Sequence, residues 1–251
     1  MRVQLQPAFV LHSRPYRDSS ALLEVLTSEF GRISLVAKGA RRSVRGRSNG
    51  AILQPFIPLL LSFSGRAELK TVTGSEVAGD VVSLKGERLF SGIYLNELLI
   101  RLLHRNDTHP NLFIAYADAI ATLGGERSMD DTLRQFEFIL LEELGYGFDL
   151  RVDGHSGAGV CETSWYYYHQ EFGLVEQGAT SNPGSPVFLG ADLLAIAEGG
   201  HNPETRQAAK RLLRHVLAGH LGDKPLKSRE LFLRTTSHTE PVGDGIDLAR
   251  H

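Results

Sequence analysis

Five positive side chains, Lys38, Arg41, Arg42, Arg45 and Arg47, stand in the stretch Val36-Ala37-Lys38-Gly39-Ala40-Arg41-Arg42-Ser43-Val44-Arg45-Gly46-Arg47 with no acid among them. Charges of one sign cannot neutralise one another, so they call for an anion from outside. A phosphodiester backbone is the simplest such anion. Small residues separate the charges, and Val-, Ile- and Leu-rich segments flank the run, so it reads as a basic loop between two β-strands. A solvated surface loop is the plain alternative.

Other chemistry fares less well. Phosphoryl or nucleotidyl transfer centred on Lys38 would need a phosphate-cradling Gly-x-x-x-x-Gly-Lys-Ser/Thr loop or a Lys-x-Asp-Gly motif, and neither is present. No acidic cluster stands ready for Mg²⁺. The single cysteine, Cys161, excludes an internal disulfide and a cysteine-based zinc site. His155, Cys161 and His169 have irregular spacing, so no metal and no cofactor is expected.

The charge is local. Residues 1–50 hold nine bases, the five above with Arg2, Arg14, Arg17 and Arg32, against the acids Asp18, Glu24 and Glu29, while the whole 251-residue chain has a formal net charge of −2. Hydrophobic content of 42% and charged content of 22% suit a globular protein. There is no apolar run of membrane-spanning or signal-peptide length, which leads to the expectation of a soluble, cytoplasmic protein.

Certain elements must carry the loop. Ala8-Phe9-Val10-Leu11 reads as a short strand ended by His12-Ser13-Arg14-Pro15. Leu22–Thr27 and Arg32–Val36 follow, the latter alternating with period two. Ala51–Phe63 is a longer apolar segment that Pro55 and Pro58 should bend or confine to an edge. Leu69–Thr73 alternates again. Five or so short strands in about 80 residues suit an OB-fold barrel. Phe9, Tyr16, Phe30 and Phe56 are candidate base-stacking residues, with the core as the more natural place for all but Tyr16.

From about residue 84 the apolar period becomes helical. Helices are expected over Arg88–Arg105, Leu112–Leu123 and Asp131–Leu144, the last closed by Gly145. Residues 151–185 break the period, and Trp165–His169 with Phe172–Val175 read as a hairpin. Its aromatic run could stack bases, although covering a thin core is the commoner role. Helix returns at Ala191–Glu198, at Asn202-Pro203-Glu204 onward to about Leu221, and after Pro225. Residues 236–251 are expected to form a disordered tail.

Taken in order, several segments resemble the RecO family of bacterial recombination mediators. They are Ala8–Pro15, Leu35–Arg41, Leu53-Gln54-Pro55-Phe56, Tyr94–Leu99, Leu133–Glu137, Leu144-Gly145-Tyr146-Gly147 and Lys224–Phe232. The resemblance covers about residues 5–235 and rests on the collinear set, since no one motif is a chemical signature. It implies an α+β protein with an N-terminal OB-fold (1–80), a helical domain (81–150 and 186–235) and a small inserted β segment (151–185). Many members hold zinc in that insert on four cysteines; with Cys161 alone, this chain resembles the zinc-less branch.

The resemblance further implies binding of single- and double-stranded DNA, annealing of complementary strands, and cooperation with RecR and the single-stranded DNA-binding protein SSB in loading RecA. It implies no catalysis. Read with the charges, it makes Lys38, Arg41, Arg42, Arg45 and Arg47 the first phosphate contacts, with Arg14 and Arg17 next. If the five loop charges engage single strands, log K should fall with log salt at a slope of roughly −3.5. The acidic SSB tail, which ends in an apolar residue with a free carboxylate, is expected on the helical domain. Arg134 is its carboxylate partner by resemblance, and Lys210, Arg211 and Arg214 are weaker candidates. A surface pair of Arg134 with Glu137 is the plain alternative. An RNA-binding OB protein is the other function class the residues leave open.

Overall fold

The computed structural model describes residues 1–44, 47–48, 50–178, 184–200 and 202–236. The side chains of 43–44, 47–48 and 233–236 are outside that description. Alternation places the first elements. In β2 (Ser20–Thr27) Ala21, Leu23 and Val25 point inward, and in β3 (Gly31–Ala37) Ile33, Leu35 and Ala37 do the same. β1 (Arg2–Tyr16) pairs with β2, β2 with β3, and β3 runs parallel to β7 (Lys70–Val77). β7 pairs with β6 (Pro58–Ser64), and β6 returns to β1, so five strands close a barrel in the order β1-β2-β3-β7-β6. That cyclic order, with its one parallel contact, is OB-fold-like. The short strands β4 (Ser43–Val44) and β5 (Arg47–Ser48) form a separate hairpin after β3.

Two expected strands change length. β1 does not stop at Leu11. It continues to Tyr16 as a ribbon paired only with β2, and Pro15, on that one-neighbour stretch, deprives no second strand of a hydrogen bond. Ala51–Phe63 is not strand throughout. Its first half turns, with Phe56 at φ 70° and a single bridge from Pro55 to Val10, and the strand itself is Pro58–Ser64.

The helices are α1 (Gly86–Leu102), α2 (Pro110–Gly124) and α3 (Met129–Glu143). α3 begins at Ser128, whose hydroxyl accepts from Asp131 N, and ends in a Schellman turn. There Gly145 N donates to Glu142 O and Tyr146 N to Leu141 O, with Gly145 at φ 79°. The expected hairpin forms as β8 (Trp165–His169) and β9 (Gly173–Glu176). A third strand, β10 (Val187–Leu189), lies on its other side, past the expected end of the insert at 185. Tyr166 and Tyr168 face the core while Trp165 is exposed, so alternation divides the aromatic run. α4 (Gly190–Ala197), α5 (Pro203–Leu221) and α6 (Ser228–Thr236) complete the chain. The Asn202 side chain accepts from Thr205 N at 2.7 Å, as its place before Pro203 suggested. Of the tail expected over 236–251, Thr236 belongs to α6 instead, and 237–251 lie outside the described residues.

Barrel and helices share one apolar cluster. Phe9, Leu11, Leu26 and Phe56 leave the barrel interior to pack with Leu95, Leu99, Tyr116 and Phe136. Inside it, Asn96 donates to Leu11 O at 2.9 Å and accepts from Tyr116 Oη at 2.6 Å. The Glu24 carboxylate takes Arg32 and, from beyond α1, Arg105, which also pairs with Glu68. Gly31, at φ 61°, lies so close to the passing chain that a Cβ would fall 1.7 Å from Asp107 O. Gly31→Ala should therefore cost at least about 2 kcal/mol, from the left-handed backbone plus the clash, read as a lower urea midpoint at unchanged m-value.

Candidate nucleic-acid interface and a cationic cleft

The barrel brings separated bases to one rim. β1 and β2 join through Arg17-Asp18-Ser19, and Arg41 N, just past β3, donates to Ser19 O at 3.0 Å. That bond ties the Arg14 and Arg17 segment to the Lys38, Arg41 and Arg42 segment. All five side chains are exposed, and no carboxylate among the described residues pairs with them. Asp18 is the one acid in the connecting turn. Glu24 and Glu68 are ion-paired with Arg32 and Arg105, so those carboxylates are already engaged. Arg45 lies outside the described residues, and Arg47 is described only as backbone of β5.

The candidate stacking rings are mostly spent on packing. Phe9 meets Phe113 and Tyr116, Phe56 is buried, and Phe30 stands edge-on to Phe63. Tyr16 is half-buried, with the Arg17 guanidinium 5.2 Å from its ring centre, and it stays at the rim. In the insert, His155 and His169 flank the Phe172 ring while Cys161 exposes its thiol elsewhere. Among the described residues no three His, Cys, Asp or Glu side chains gather as metal ligands. Among the described residues no helix is long and apolar enough to cross a membrane.

A second site lies among the helices. A cleft of about 520 Å³ opens between α1, α3, α5 and α6. Tyr94, Met129, Leu133 and Phe232 give it an apolar lining, and Arg134, Lys210, Arg214 and Arg229 give it four cations against Glu87 and Asp130. Lys210 Nζ stands 3.7 Å from Asp130. A hollow of similar size between the β8–β9 turn and α5 has Glu171, His169 and His215 but no Lys or Arg, so it suits an anion less.

Arg134 is not a surface residue. Its side chain is 13% exposed, and its Nη1 lies 2.8 Å from Oε2 of Glu137, which is fully buried. Beside that ion pair, Arg134 Nε and Glu137 Oε2 are without a hydrogen-bond partner among the described residues. The Tyr94 hydroxyl donates to Glu137 Oε1 at 2.5 Å. Burial raises the Glu137 carboxyl above its ordinary range, against the opposing pull of Arg134, the Tyr94 hydrogen bond, Arg214 and Lys210. Burial, reinforced by Glu137, also pushes the Tyr94 phenol well up. The expected surface pair is thus real in its partners and wrong in its place.

Of the other expected tail contacts, Lys210 and Arg214 line the cleft and Arg211 does not. Arg211 turns to the insert, donating to Val187 O at 3.2 Å with its guanidinium 5.2 Å from the centre of the Phe188 ring. Helical geometry could have separated them. Positions four apart differ by about 40° around the axis, and adjacent positions by about 100°. Arg229 escaped the sequence reading, although it lies in the matching segment Lys224–Phe232. The first turn of α6 is fixed by Glu97, whose carboxylate accepts from Lys227 N at 2.9 Å and Ser228 N at 2.8 Å. Burial opposes ionisation of Glu97, but those hydrogen bonds outweigh it and hold its pKa below the usual value.

Comparison with known proteins gives concordant matches. A family model described as Recombination protein O N terminal matches residues 1–80, and one described as Recombination protein O C terminal matches residues 84–230. The DNA repair protein RecO of Nitrosococcus oceani is 49% identical over 232 residues, covering 92% of this chain and 93% of that protein. That of Pseudomonas paraeruginosa is 46% identical over 229 residues, covering 91% and 94%. That of Cellvibrio japonicus is 44% identical over 239 residues, covering 95% and 100%.

Proposed function

The chain belongs to the RecO family, and from that premise we propose that it is a DNA repair and recombination mediator that binds single- and double-stranded DNA and anneals complementary strands. With RecR it helps load RecA onto SSB-coated strands, acting on the cytoplasmic nucleoid. Residues 1–80 hold the nucleic acid, and the helices that follow receive the SSB tail.

The observation that carries this reading is the rim where the segments of Arg14 and Arg17 and of Lys38, Arg41 and Arg42 are joined, their exposed bases without a carboxylate partner among the described residues. Two nucleic-acid strands repel through their phosphates. A surface that replaces condensed counterions on both lowers that repulsion and leaves bases free to pair. No group on the rim need form or break a bond. The test is a titration of labelled single-stranded DNA at several salt concentrations, beside an assay of annealing between complementary strands. Salt-dependent binding with annealing supports the reading; salt-independent binding, or binding without annealing, defeats it. Matched RNA and DNA oligonucleotides in the same titration separate the RNA-binding alternative.

The cleft supplies the partner half of the proposal. A tail with acidic residues and an apolar end carrying a carboxylate matches cations set around Leu133, Met129 and Phe232. Arg214→Ala and Arg229→Ala should each weaken a fluorescent SSB-tail peptide by about tenfold, the loss of one charge-assisted hydrogen bond. Arg211→Ala should leave it within about twofold, as a side chain outside the cleft. Equal losses at Arg211 and Arg214 would mean that diffuse charge, not the cleft, holds the peptide.

A further inference from the structure

The cleft has a second source of acidic, apolar chain besides a partner. Helix α6 supplies one wall through Arg229 and Phe232 and ends at Thr236. The sequence beyond it, Thr239-Glu240-Pro241-Val242-Gly243-Asp244-Gly245-Ile246-Asp247-Leu248, carries Glu240, Asp244 and Asp247 with Val242, Ile246 and Leu248 interleaved. No Lys or Arg intervenes before Arg250. The cleft holds Arg134, Lys210, Arg214 and Arg229 around Leu133 and Phe232.

We propose that residues 240–248 occupy this cleft in cis and compete there with acidic, apolar peptides from a partner. The proposal rests on the reading of the cleft as a tail-binding site. It goes beyond the family, whose C-terminal match ends at residue 230.

The distances allow it. Along a helix, Thr236 lies about 6 Å past Phe232. Four extended residues span up to about 14 Å, so the chain from Thr236 to Glu240 can return to the level of the cleft. Tethering makes weak complementarity sufficient. A short covalent connection holds the segment at an effective concentration of order 1 mM, so a segment binding with a Kd of a few tenths of a millimolar weakens a competitor about fivefold.

The test measures a fluorescent peptide with an acidic run and an apolar C-terminal residue bearing a free carboxylate. It is titrated with the full chain, a chain ending at Thr236, and the full chain carrying Asp244→Lys and Asp247→Lys. The two altered proteins are expected to bind the peptide about fivefold more tightly than the full chain. A synthetic peptide of residues 237–251 is expected to displace the probe from the shortened chain. Equal affinity in all three proteins, with Arg229→Ala still weakening the probe, overturns the cis occupant and leaves the tail-binding reading intact. A gain in the shortened chain alone would trace to loss of covalent continuity at α6, and would also overturn the proposal. Absence of probe binding in all three overturns both readings.

Discussion

Arg41→Glu with Arg42→Glu is expected to lower single-strand affinity by about 25- to 100-fold near 0.1 M salt and to flatten the salt dependence by about 1.4 in slope. Each phosphate contact releases about 0.7 of a counterion from a single strand, which at 0.1 M is about fivefold in affinity. Two lost contacts make about 25-fold, and the introduced repulsion adds the rest. Both side chains are exposed and have no carboxylate partner among the described residues, so stability should shift by less than about 0.5 kcal/mol. The bond from Arg41 N to Ser19 O involves backbone alone and survives the change. Annealing should fall with binding. Arg14→Ala and Arg17→Ala should flatten the slope further, because the end of β1 and the turn that follows it lead to the same rim. An unchanged slope in the double reversal, with the protein folded, would remove the rim from the mechanism.

Arg134→Ala is expected to lower stability by about 3–5 kcal/mol near neutral pH, a large effect for a residue at the edge of a cleft. The reason is Glu137, which has no exposure and would lose the cation 2.8 Å away. Lys210 and Arg214 lie farther off and compensate in part, which places the expectation toward the lower end. The pH dependence has a definite sign. Burial raises the folded pKa of Glu137 above the unfolded carboxyl value, so the folded state binds more protons between the two. Stability then falls as pH rises from the unfolded value through the folded one. Arg134→Ala raises the folded value further and widens that window. Its stability deficit should be smallest below the wild-type folded value, grow as pH rises from that value to the variant's, and be greatest above both. Urea unfolding across pH measures this. Glu137→Gln in the Arg134→Ala background should recover about 2 kcal/mol or more, a coupling that a double-mutant cycle reads directly. A pH-independent deficit would mean that Glu137 is neutral in both proteins. Loss of tail binding in Arg134→Ala is consequently ambiguous, and Arg214→Ala and Arg229→Ala are the cleaner probes of the cleft.

Much of this protein is written locally. The alternation of Leu23, Val25, Ile33 and Leu35 announces a half-buried sheet, and the barrel buries those side chains. Asn202 and Gly145 mark helix ends because capping depends on residues three or four apart. Density of charge is also local, so the basic loop stands out without a structure. Where local signals fail, a distant neighbour has decided. Arg14 to Tyr16 continue a strand because β2 is there to pair with them. Pro55 and Pro58 only hint that the chain from Ala51 turns before it joins the sheet.

The sequence alone determined the element types, the basic loop and the family resemblance, since period, charge and collinear order need no folding to be read. Tertiary structure alone decided that the turn after Arg17 is bonded to Arg41, that Arg229 joins Arg134 and Arg214 around one cleft, and that Arg211 turns away to Val187. It also decided that Glu137 is buried beneath Arg134. The physical reason is common to these cases. A helix or strand defines which of its residues share a face, but what that face meets, water or a buried carboxylate, depends on chain that arrives from tens of residues away.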